Sequence, residues 1–307
     1  MVASGVMFHH FYDGRHPRGQ GAISAQNLED LINSLGRNNV LPAQDWLTGA
    51  LSGTLGDNDL CLTFDDALKC QYDVAVPVMR TLGLTGFWFV YSSVFDGNIE
   101  TLEVYRHFRT TEFAHLDQFY DAFFETALML YPTQYEAALT GFDPRTYLGA
   151  YPFYTDRDRL FRYLRDDGLG VERYGAVMQS MMGRRGYDVR AASAVLWMNN
   201  ADIKRLHDEG HVVGLHSYTH PTRLCELNAQ AQQQEYRKNF DHLHSVLGAP
   251  PSVMAHPCNS YSAETISLLR EMGIRLGFRA NMEPVANRSV YEFPRQDHAN
   301  LMKALNS

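Results

Sequence analysis

A chain of 307 residues, 45% of them hydrophobic, carries enough apolar material for one large domain or two small ones without covalent staples. Its formal net charge of -8 excludes a generic phosphate-backbone surface, so nucleic acid is not an expected partner. Four cysteines (Cys61, Cys70, Cys225 and Cys258) show neither a CxxC pair nor the rhythm of a secreted scaffold, which excludes a disulfide framework, and no run reaches the roughly 20 apolar residues of a membrane span.

At the N-terminus, the first ten residues have no basic region and reach His9 and His10 before a hydrophobic core can develop, which predicts no signal peptide and a cytoplasmic protein. Gly5–His10 is the first expected strand. Gly14 to Gly21, with Arg15 and Arg18, matches no phosphate-loop pattern and reads as a flexible rim. Ser24 to Leu35 is a predicted helix with Ser24 as its N-cap. Asp59–Phe64 and Gly86–Tyr91 are the next two strands, and the second, with Phe87, Trp88 and Phe89, is too apolar to be anything but core. Over 96–195 the pattern changes to aromatic and charged stretches at helical spacing, such as 116–128 and 156–164. These predict an α-helical insertion between the third and fourth strands, a small cap with its aromatic stripes as core.

Beyond the insertion, Asn200 to Gly210 is a helix running from cap to glycine and His211–His216 the fourth strand. His242 and His244 lie on an amphipathic helix as surface histidines. Ser252–His256 is the fifth strand, Ser262 to Gly273 a helix with a glycine stop, and Ile274–Phe278 and Val290–Pro294 the last two strands. Seven strands alternating with helices predict an incomplete α/β barrel, one domain over 1–307, with functional residues at the C-terminal ends of its strands.

Two features at strand ends carry chemistry. Asp65-Asp66 closes the second strand, and adjacent residues leaving a strand diverge, so one carboxylate can bind a metal while the other faces a water. Alone, such a pair is explained by the capping of a strand-to-helix turn. After the fourth strand, His216-Ser-Tyr-Thr-His220 spaces two imidazoles four apart, so that both can reach one ion if the segment turns helically. Two imidazoles and one carboxylate together leave coordination positions open for water and substrate, as a catalytic metal site requires.

Thr63-Phe-Asp-Asp66 and His216-Ser-x-x-His220 resemble the first two motifs of the polysaccharide deacetylases that share the nodulation-protein-B homology domain, carbohydrate esterase family four. The resemblance implies a deformed seven-stranded (β/α) barrel, Asp65 as catalytic base, and Asp66, His216 and His220 as ligands of a divalent metal. Zn²⁺ is the expected ion, with Co²⁺ or Ni²⁺ satisfying the same donors.

The family's third motif, Arg-x-Pro-aromatic-Gly, is degraded here to Ala255-His-Pro-Cys-Asn259. The missing arginine normally orients the base, and Arg295, at the end of the last expected strand, is the candidate replacement because a guanidinium holds a carboxylate with two parallel hydrogen bonds. The family's final Leu-x-His, which supplies the acid, is absent. His298, beside Asp297, is the first substitute and His256 the second. His9 and His10, at the same face, are expected to line the pocket.

The expected activity is removal of an N-acetyl group from an amino sugar or glycan, releasing acetate. Alternatives are hydrolysis of another amide (a formamide, cyclic amide or ureide) and a non-catalytic carbohydrate-binding protein on the same fold.

Overall fold

The computed structural model describes residues 2–148 and 154–305. Two compact units divide the chain, one formed by 1–100 with 194–307 and the other by 101–193. No helix among the described residues is long and apolar enough to cross a membrane.

The first unit is a sheet of seven parallel strands in a nearly closed barrel: β1 Ser4–Phe8, β2 Leu60–Asp65, β3 Phe87–Val90, β4 Val212–Leu215, β5 Val253–Ala255, β6 Leu276–Phe278 and β7 Arg295–Asp297. Their spatial order is β6-β5-β4-β3-β2-β1-β7. The first six strands are buried along nearly their whole length because a parallel sheet has both faces covered, which explains their largely apolar runs, whereas edge strand β7 (Arg-Gln-Asp) is buried only at Arg295. Alternate side chains go opposite ways. Leu62, Phe64, Trp88 and Val90 belong to one core cluster with Leu28, Leu31 and Ile32 of helix Ala25–Ser34. Cys61, Phe87, Phe89, Val253, Ala255 and Phe278 form a second cluster with Trp46, whose ring packs on Phe87, Phe278 and Phe293.

Six of the seven expected strands stand within a residue or two of their predicted bounds, but the last is displaced. Val290–Pro294 is not a strand; Glu292 instead accepts from the Ser289 N–H and hydroxyl in a turn, and Pro294 has no N–H to give a ladder. Its neighbours still close most of the gap, since Phe293 N–H donates to Gly277 O and Arg279 N–H to Phe293 O. Pairing with β1 begins only at Arg295, opposite Gly5.

Ser24 and Ser262 cap the first turns of their helices as expected, while the cap of the helix expected to run from Asn200 is the preceding Asn199; each has a reciprocal bond from the residue three on.

The second unit is helical, with helices Thr101–Thr111, Leu116–Leu130, Pro132–Gly141, Asp156–Tyr163 and Val171–Arg184. Its aromatic stripes form the core expected of them: Phe119, Phe123 and Phe161 are buried, and Phe161 meets Phe119 and Phe123 edge-on at 5.3 and 4.9 Å.

Candidate active site

The period of two along β2 turns Asp65 toward the same side as Cys61 and Thr63, at the C-terminal end of the strand. There the backbone swings sharply: Asp66 and Ala67 have φ of 78° and 53°, and Asp66 N–H donates to Phe89 O at the end of β3. Non-glycine residues with positive φ are costly and are retained where the surroundings fix them. Gln71, fully buried, donates to the carbonyls of both Asp65 and His9, tying the ends of β1 and β2 together.

The His216–His220 segment brings its imidazoles together without the helical turn on which the sequence makes their meeting conditional. Ser217 and His220 adopt left-handed φ of 64° and 55°, and this bent loop brings the two imidazoles together with ring centres 4.8 Å apart. Polar residues of helix Ala229–Leu247 hold it. Asn239 accepts from His216 N–H and donates to Val90 O, while Glu235 accepts from Tyr218 N–H, Thr219 N–H and the Thr219 hydroxyl.

Asp66, His216 and His220 each offer a ligand atom, and all three atoms lie within 4.8 Å of one another. Both imidazole Nε2 atoms stand 3.6 Å from Asp66 Oδ1, too long for hydrogen bonds. Bonds of about 2.0–2.2 Å to one ion would place three such donors about 3–3.5 Å apart, so the spacing suits a shared cation. The tautomer agrees as well. His216 Nδ1 donates to Ala255 O at 2.9 Å, leaving the Nε2 lone pair to face Asp66, and burial lowers the pKa of this imidazole to about 3, which keeps it neutral as a ligand must be. The donor set therefore fits a divalent metal.

Beside these residues, Asp65 is held by Arg295. The two guanidinium nitrogens reach the two carboxylate oxygens at 2.6 and 2.7 Å, and Nε donates to Arg279 O. Both side chains are buried. Burial alone would raise the carboxyl pKa, but the Arg295 charge, His216 and the Arg295 hydrogen bonds outweigh it and hold Asp65 below the usual carboxylate range. The arginine stem needs room. A Cβ on Gly5 would stand 3.0 Å from both Arg295 Cγ and Thr63 Cγ2, so glycine at this point of β1 lets the stem cross.

The histidines separate. His298 directs Nδ1 to Met7 O at 3.2 Å and Nε2 to Gly21 O at 2.9 Å, so its ring is engaged with backbone carbonyls. His256 is fully buried, gives its Nε2 proton to Tyr291 O and stacks on Tyr261 at 4.1 Å. Burial lowers its pKa to about 4. His9 is a further imidazole against the carboxylates, outside the ligand set: its Nε2 lies 3.9 Å from Asp65 Oδ2 and from Asp66 Oδ2, and its side chain is 28% exposed. The sequence marked His9 as a pocket residue but gave it no part in the chemistry. Its place just past the end of β1 was the available signal.

A family model described as polysaccharide deacetylase matches residues 176–277, a stretch that contains both site histidines but neither aspartate. No curated protein matches the chain by sequence. Solved structures match it by fold. A Streptococcus pyogenes deacetylase, PplD, in complex with acetate has 12% identity and a TM-score of 0.57 over 99% of this chain and 97% of its own. IcaB from Ammonifex degensii has 14% identity and a TM-score of 0.57, with coverage of 98% and 97%. A de-N-acetylase from Aggregatibacter actinomycetemcomitans has 11% identity and a TM-score of 0.55, with coverage of 95% and 93%. The chain is thus similar to polysaccharide deacetylases in sequence across the histidine motif, and similar in fold to solved deacetylase structures along nearly its whole length.

Proposed function

We propose that this protein is a metal-dependent carbohydrate N-deacetylase that removes an acetyl group from an N-acetylated sugar. The observation that carries the reading is the pairing of two devices at one end of the barrel: the Asp66, His216, His220 donor set and, next to it, an aspartate locked to a buried arginine. A bound divalent ion, Zn²⁺ by its donors and Co²⁺ or Ni²⁺ by the same geometry, would supply Lewis-acid polarisation of the acyl carbonyl.

The remaining work falls to the chain. Asp65, kept ionised by Arg295, takes the proton of the attacking water. Arg295 fixes the direction of the carboxylate through its two parallel bonds. His9, facing the same carboxylates and partly exposed, would pass to the departing amine a proton that it takes up during the reaction, since burial holds its own pKa down at about 4; His298 fills this role less well because both its ring nitrogens meet carbonyls.

Acetate release by the metal-loaded protein on a panel of N-acetyl sugars tests the reading. Turnover only of formamides, cyclic amides or ureides would reassign the acyl group. Retention of a sugar without turnover would favour a carbohydrate-binding protein instead.

A further inference from the structure

In the helical unit, helix Thr101–Thr111 carries Arg106 and Arg109, and helix Asp156–Tyr163 with the π-helical segment Leu164–Gly168 carries Arg162 and Arg165. Residues three apart share a helix face. The two Arg-x-x-Arg pairs line one cavity of about 190 Å³, more than ten times the ~15 Å³ that a single water needs, with Phe119 and Phe161 on its wall.

The counter-charges do not match this concentration of guanidinium groups. Arg165 is bidentate to Asp166 at 2.6 and 2.9 Å, and Glu103 lines the same cavity. Nearby Asp158 is already committed, with Oδ1 accepting from the Tyr120 hydroxyl and Oδ2 from the Thr155 N–H and hydroxyl. Among the described residues, Arg109 and Arg162 have no hydrogen-bonded carboxylate, and Arg162 Nε is buried without a hydrogen-bond partner. They rest on aromatic faces instead, Arg109 5.9 Å from the Phe119 ring centre and Arg162 4.2 Å from that of Tyr154. Burial and the charges of Arg106 and Arg162 push Arg109 below the usual arginine value.

We propose that this cavity is an anion site for a phosphate group, gripped by the Arg109 and Arg162 forks with Arg106 and Arg165 beside them. Asp158 offsets the Arg162 charge only in part and without a hydrogen bond, and a ligand carboxylate would balance just one of the two guanidinium groups. A phosphate group, at about -1.5 to -2 near neutral pH and with three acceptor oxygens, balances both and occupies more than one fork.

Calorimetric titration of the full chain tests this, with inorganic pyrophosphate in one arm and a hexose 1-phosphate in the other. Both bind, and Arg109→Gln and Arg162→Gln each weaken binding roughly tenfold to hundredfold, the value of one charged hydrogen-bonding group. Tighter binding of the hexose 1-phosphate identifies a phosphate ester as the natural source. Equal or tighter binding of pyrophosphate identifies the free anion. A second measurement needs no variant: pyrophosphate shields Arg109 and Arg162 of the wild-type chain from phenylglyoxal, mapped by mass spectrometry, but not the exposed Arg223 and Arg237. Absence of both heat and shielding, or undiminished binding by both variants, overturns the proposal.

Discussion

Replacing Arg295 by methionine keeps most of the apolar stem and removes the charge. The lost interactions are the two bonds to Asp65, the Nε bond to Arg279 O and a long bond to the Thr63 hydroxyl, all in a buried setting. Removing one partner of a buried pair costs about 3–5 kcal/mol because the other charge is left uncompensated. The pH dependence has a definite sign. In the wild type the folded pKa of Asp65 lies below its unfolded value, so the pair's contribution is complete above the ordinary carboxylate range and is lost as the pH falls through the folded value. In Arg295→Met nothing of comparable strength opposes burial, and the carboxyl pKa rises. The variant is then weakest near neutrality, and its deficit shrinks as acid protonates Asp65. Urea unfolding followed by tryptophan fluorescence at pH 7 and pH 5 reads this directly, since all three tryptophans lie in the barrel unit. The same substitution in an Asp65→Asn background should cost at least ~2 kcal/mol less. A loss under ~1 kcal/mol at pH 7, or an equal loss in both backgrounds, refutes the argument.

Asp66→Ala and His216→Ala should each abolish binding of the roughly one divalent ion per chain, measured by plasma mass spectrometry after dialysis, because two protein donors retain it poorly; full occupancy in either would remove that residue from the ligand set. His9→Ala should keep the metal and lose about 10²–10⁴-fold in acetate release, whereas His298→Ala should lower the unfolding midpoint and leave the turnover of the folded fraction intact. The reverse pattern would return the acid role to His298. His211, buried, accepts from Gly86 N–H and Trp88 Nε1–H, and burial lowers its pKa to about 4. The unfolded chain takes up this proton near 6.5 while the native state resists until about 4, so up to ~3 kcal/mol is lost across that window. His211→Gln should unfold with a shallower acid dependence, and an unchanged slope between pH 6.5 and 4.5 would contradict the assignment.

What the sequence made legible follows from local chemistry. The Asp65-Asp66 and His216–His220 motifs stand at strand ends that hydrophobic runs define well, and Arg295 stood out because the third motif lacks its arginine and a guanidinium at the end of the last expected strand can hold a carboxylate. The displaced seventh strand was not legible: Val290, Tyr291 and Phe293 are as apolar as a strand requires, and the turn that claims them depends on the Glu292 carboxylate reaching Ser289. The left-handed turns at Ser217 and His220 have no glycine to announce them. Glu235 and Asn239, which hold the histidine loop, sit in an amphipathic helix whose polar residues read as solvent-facing. In the insertion, the aromatic stripes announced a core, but the paired arginines gave no sign that their side chains would meet around one cavity.

The glycine beneath Arg295 has an evolutionary consequence. Because the arginine that holds the base enters from the last strand, its stem crosses β1 at Gly5, where a Cβ would stand 3.0 Å from it and would press the stem aside. Transfer of the base's arginine to the last strand is therefore eased by the absence of a side chain on the first, and the two positions, which pair directly, should change together. Relatives that made the same transfer would carry the two residues as a linked pair, a mark searchable in sequences too divergent for their catalytic motifs to align.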